Sequence, residues 1–70
     1  MTIEQKEKQK RKLKSLRVLA GLSQQDMAEE LGLTRETYCK KENGRDSFSL
    51  EEAKHLADFF EGTVDEIFFD

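Results

Sequence analysis

Arg35, Glu36 and Thr37 open a short polar stretch, Arg35 to Glu42, with Lys40 one turn further along; the stretch reads as a helix that Thr34 caps with its hydroxyl. Between them they carry the groups that read the edges of base pairs. Arg35 can fork onto O6 and N7 of guanine, Lys40 reaches the same acceptors, Glu36 accepts from N4 of cytosine, and Thr37 hydrogen-bonds or sets its methyl against thymine. Lys40 lies three and four residues beyond Thr37 and Glu36, which places the three on one helical face. The same residues would also serve as an ordinary solvated face, with Glu36 paired internally to Arg35 or Lys40.

What must position that helix is the segment before it. Ser23 is a good N-cap, Asp26 stands three residues on in the capping-box position, and Met27, Ala28 and Leu31 give a short apolar stripe at helical spacing. Gly32 can take the left-handed conformation that ends this helix, Leu33 can turn inward, and Thr34 starts the next one. Two helices joined so closely cannot lie antiparallel. They cross steeply, as a helix-turn-helix, in which the second helix enters the major groove with its N-terminal residues toward the bases.

The string Gly21, Leu22, Ser23, Gln24, Ala28, Leu31, Gly32, Tyr38, Glu42, Asn43 and Gly44 stands in one register. It resembles the pattern GLSQxxxAxxLGxxxxxYxxxENG of the Cro and lambda-repressor type of helix-turn-helix, the Xre family, and the likeness extends from Leu13 to Phe68. The resemblance implies a compact five-helix, lambda-repressor-like all-α DNA-binding domain. It also implies that Arg17 pairs with Glu42, and that Tyr38 faces inward with its hydroxyl near the surface. Gln24, in the resemblance, bridges a phosphate and the recognition helix. It also starts a helix whose N–H groups and dipole favour an anion. Asn43 and Arg45 resemble further phosphate contacts, and Thr34 is placed with them; Asn43 also suits a helix C-cap. Two residues depart from the pattern: Lys41 stands where an apolar side chain is usual, and Glu61 precedes Gly62, displacing by one the glycine that follows the fourth helix.

Seventy residues bound one domain with one small core. With no proline and few β-branched residues the chain favours helices throughout, and no stretch alternates apolar and polar over a strand's length. The single cysteine, Cys39, cannot close an internal disulfide, and with His55 as the only imidazole no zinc spacing exists. No nucleophile, base and orienting group are spaced for catalysis, so neither an enzyme, a cofactor nor a small-molecule ligand is expected. No apolar run approaches a membrane span and the first residues are polar, from which a cytoplasmic protein is expected.

The net charge of −3 conceals a dipole. Residues 1–17 hold seven Lys and Arg against two acids, residues 18–45 four against five, and residues 46–70 one against eight. A polyanion meets the near face rather than the sum, and the acidic end turns the other side away from it.

Residues 1–10 form a charged extension ahead of the domain at 11–70, a frayed helix or a disordered arm. Lys6, Lys8 and Lys10 there, with Arg11, Lys12 and Lys14 just beyond, can favour solubility and weak attraction to phosphate. Leu13, Leu16 and Ala20 make the inner stripe of the first helix, which ends at Gly21. Phe48 anchors the loop that follows Gly44. Ser49 and Glu52 open a fourth helix with inner face Leu50, Ala53, Leu56, Ala57 and Phe60, ended by Gly62; Thr63 and Glu66 open a fifth, whose Val64, Ile67 and Phe68 close the core. Phe59 and Phe69, together with Phe48 where its loop leaves it uncovered, exceed what so small a core buries, which points either to a weak homodimer through the C-terminal aromatic region or to Phe69 folded back onto the fifth helix. The expected function is sequence-specific binding of double-stranded DNA by a transcriptional regulator, a repressor of phage, prophage or bacterial type. The alternative is a protein-interaction module such as an antitoxin or adaptor on the same fold.

Overall fold

Hydroxyl caps and left-handed turns set the boundaries of the helices. The computed structural model describes the backbone of residues 2–68 and the side chains of residues 11–68; Phe69 and the side chains of Lys6, Lys8 and Lys10 lie outside these. The described residues form α1 (Thr2–Leu19), α2 (Gln24–Leu31), α3 (Arg35–Glu42), α4 (Leu50–Phe59) and α5 (Val64–Phe68), with no strand among them. Ser23 Oγ accepts the Asp26 N–H at 3.0 Å while the Asp26 carboxylate accepts the Ser23 N–H at 2.9 Å. Ser49 with Glu52, and Thr63 with Glu66, repeat this reciprocal box at α4 and α5. Each such cap contributes about 1 kcal/mol.

The ends of α2 and α4 share one hydrogen-bond pattern on different residues. Gly32, at φ +71°, lets the Leu33 N–H close onto the Ala28 carbonyl at 2.8 Å. After α4 it is Glu61, at φ +58°, that lets the Gly62 N–H close onto the Ala57 carbonyl at 2.8 Å. The left-handed residue is therefore Glu61, not Gly62, which corrects the expectation that Gly62 itself ends α4. A side chain in this conformation costs about 1–2 kcal/mol, part of which glycine gives back through its freer unfolded chain. Glu61→Gly should raise stability by about 0.5–1 kcal/mol and the melting temperature by several degrees. An unchanged or lower midpoint in a thermal melt would show that Glu61 carries no strain.

Leu13, Met27, Ala28, Tyr38, Ala53, Leu56, Ala57, Ile67 and Phe68 make the core, with Leu16, Leu22, Leu31, Leu33, Phe48, Phe60 and Val64 packed around it. The first helix packs on α5 and on α3, so it joins the C-terminal helix to the helix-turn-helix. Two stripe positions are exposed against expectation. Ala20 follows the last residue of α1 and is exposed at the turn, although its N–H still closes onto the Leu16 carbonyl at 3.0 Å. Leu50 is 66% exposed because helical side chains lean toward the N-terminus, and the first residue of α4 leans past its end.

Phe48 pins the α3–α4 loop, meeting Tyr38 and Phe68 edge-on at ring separations of 5.9 and 5.5 Å. Lys41 lays its stem along the same edge: its ammonium is 5.9 Å from the Phe48 ring centre and donates to Glu52 Oε1 at 2.7 Å. Glu52 thus caps α4 and ties it to α3. No helix among the described residues is long and apolar enough to cross a membrane.

Candidate nucleic-acid interface

A buried carboxylate fixes α3 to the two helices before it. Glu42 is 2% exposed, and Arg17 grips it with two prongs: Nε donates to Oε2 at 2.8 Å and Nη2 to Oε1 at 3.3 Å. The third guanidinium nitrogen, Nη1, donates to the Leu22 carbonyl at 2.8 Å, so one side chain of α1 ties the loop before α2 to the end of α3. Tyr38 Oη donates to Oε2 at 2.8 Å and Gln24 Nε2 to Oε1 at 3.0 Å. Burial alone would raise the Glu42 pKa, but the hydrogen bonds from Arg17, Gln24 and Tyr38 outweigh it and hold the carboxyl below its ordinary value. Burial, and then the bond to Glu42, push the Tyr38 phenol the other way, well above its ordinary value. Tyr38 is 0% exposed, so its hydroxyl is not near the surface as expected.

With that face anchored, the opposite face of α3 meets solvent. Arg35, Glu36 and Lys40 are exposed, and none of the three makes an ion pair among the described residues. Their donors and acceptors are therefore uncommitted. Thr37 is half-buried rather than fully presented, because the cap holds it: Thr34 Oγ1 accepts the Thr37 N–H at 3.1 Å and donates to Thr37 Oγ1 at 2.8 Å.

Around this face stand the residues expected at phosphates. Thr34 is exposed at the start of α3, Asn43 is exposed and caps its end, with its N–H on the Cys39 carbonyl at 2.9 Å, and Arg45 is exposed in the loop beyond. Gln24, first residue of α2, is half-buried with its amide turned toward α3. A contact that sequence reasoning missed is Cys39 Sγ donating to Gln24 Oε1 at 2.9 Å. Its only signal was a cysteine three residues before the buried Glu42. His55 is exposed and joins Glu30 at 2.7 Å, a link between α4 and α2 away from α3.

Of the three aromatic residues expected at a pairing surface, Phe59 is 41% exposed and packs edge-on to Phe60. Phe48 is turned into the core, which removes it from such a surface, and Phe69 lies outside the described residues.

A helix-turn-helix family model matches residues 13–67. An uncharacterised HTH-type transcriptional regulator of Methanocaldococcus jannaschii is 41% identical over 59 residues, which cover 84% of this chain and 89% of that protein. No solved structure matches the chain.

Proposed function

The chain belongs to the helix-turn-helix family of Cro and lambda-repressor type, and from that footing we propose that it binds double-stranded DNA sequence-specifically and represses transcription. One observation carries the reading: Arg35 and Glu36 at the leading end of α3, and Lys40 one turn further along it, stand exposed and without an ion pair among the described residues, on a helix whose other side is locked by Glu42 and Tyr38. A helix presented in this way enters the major groove, where its first turns meet base edges. Thr34, Gln24, Asn43 and Arg45 take phosphates and set the register, while Arg35 to Lys40 read bases. Residues 46–70 hold one Lys or Arg against eight acids, a charge that the field of the DNA repels and that favours approach by the other side of the domain. A promoter covered in this way is closed to polymerase.

Selection from random duplex DNA, followed by footprinting, tests the proposal. It should enrich one motif, and affinity should fall steeply as salt rises from about 50 to 200 mM, since cationic side chains that neutralise phosphates release counterions. Enrichment of no motif, with binding indifferent to salt, would instead favour an apolar protein contact of the antitoxin or adaptor kind.

A further inference from the structure

Gln24 is held at two points, and the two differ chemically. An ionised carboxylate only accepts, so the nitrogen end of the Gln24 amide must face Glu42, where Nε2 donates to Oε1 at 3.0 Å. The oxygen end then needs a donor, and the Cys39 thiol supplies it at 2.9 Å. Cys39 and Glu42 are three residues apart on the same side of α3, so a single planar amide straddles both. With Glu42 as its one partner, the amide could pivot about that bond and present either N–H. The second bond stops the pivot. One N–H of Gln24 remains, and it has no partner among the described residues.

We propose that Cys39 is a positioning residue for DNA contact: its thiol fixes the orientation of the Gln24 amide, so that the remaining Gln24 N–H is preset for a backbone phosphate. This rests on the DNA-binding reading above. Cys39 itself touches no DNA. The gain is preorganisation, because the duplex meets a side chain already ordered rather than one that must be ordered on binding.

The test compares Cys39→Ala and Cys39→Ser with the parent on two readouts. One is affinity for the selected duplex and for unrelated duplexes across a salt series; the other is the Gln24 side-chain amide proton pair, followed by NMR without DNA. In Cys39→Ala the amide signals should move toward those of a solvated glutamine. Affinity should fall roughly 3–10-fold on every duplex alike, with the preferred motif and the salt slope unchanged, because a neutral amide displaces no counterion. Serine keeps a hydroxyl donor at this position and should restore both readouts. Parent-like amide signals and affinity in Cys39→Ala, or equal losses in the alanine and serine variants, would overturn the role of Cys39 while leaving the DNA reading standing. A parent chain indifferent to every duplex would overturn both.

Discussion

Glu42→Ala should leave little folded protein at 25 °C. The substitution removes the acceptor of four hydrogen bonds and strands the Arg17 guanidinium, which is itself only 8% exposed, without its counter-charge. Breaking one side of a buried ion pair costs about 3–5 kcal/mol, mostly because the surviving charge stays desolvated. Domains of this size seldom hold more than about 3–5 kcal/mol in all. A second variant separates the value of the pair from the cost of the orphaned charge. Arg17→Met with Glu42→Met removes both charges and keeps volume, so it should melt above Glu42→Ala despite carrying one more substitution, although Tyr38 and Gln24 still lose an acceptor. Circular dichroism melts of the three proteins read this directly. If Glu42→Ala melted within a few degrees of the parent, α3 would be held by apolar packing alone.

The same carboxylate sets the acid limit of the fold. Its pKa is depressed when folded, so its contribution is complete above the unfolded value of about 4.3 and is lost as pH falls through the folded value. Glu52, where burial is outweighed by hydrogen bonds from Lys41 and Ser49, adds to this limb with the same sign. Tyr38 acts in the opposite sense. Its raised pKa gives stability that is complete below the unfolded value of about 10 and is lost as pH rises through the folded value. Stability against pH should therefore decline below about pH 4 and again above about pH 10. Tyr38→Phe should flatten the alkaline side.

Which features the sequence discloses follows from how local their causes are. The three capping boxes, the Thr34 cap and the left-handed Gly32 each involve residues one turn apart, so residue type and spacing suffice to place them. The left-handed Glu61 is not readable in this way. Its conformation opposes its own preference and is imposed by the joining of α4 to an α5 whose Ile67 and Phe68 are buried. The Tyr38 hydroxyl was misplaced for a related reason: its partner belongs to a network that α1, α2 and α3 assemble only when folded. Lys41 and Cys39 are two more cases. Each looks like a departure or a bystander on its own helix, and each finds its partner, Glu52 or Gln24, on another. The exposed face of α3 was legible because exposure there needs only that the opposite stripe be buried, and Tyr38 and Glu42, four apart, supply that stripe.

Arg35→Ala is expected to erase discrimination at one position of the selected motif rather than to weaken binding evenly. A guanidinium forked onto guanine O6 and N7 is worth about 1–3 kcal/mol against the wrong base, so affinity for the preferred duplex should fall roughly 5–150-fold, with a much smaller loss on unrelated duplexes. Arg45→Ala is the contrasting variant. An exposed arginine beyond the end of α3, placed to meet a phosphate, should lower affinity for all duplexes alike and reduce the salt slope by about one, with the motif intact. Arg45 suits this comparison better than Gln24, because Gln24→Ala would also withdraw a hydrogen bond from Glu42 and so mix stability with contact. Glu36→Ala adds a sign test. Removing an exposed carboxylate from a face that meets phosphates should strengthen binding to unrelated DNA, while a Glu36 that accepts from cytosine N4 should lose preference for that base at the same time. Repeating the duplex selection with each variant, alongside a salt titration, reads all three effects. If Arg35→Ala and Arg45→Ala lost affinity by the same sequence-independent factor, the leading end of α3 would be lying along the backbone rather than in the groove. The separation between residues that read bases and residues that hold phosphates would then fail.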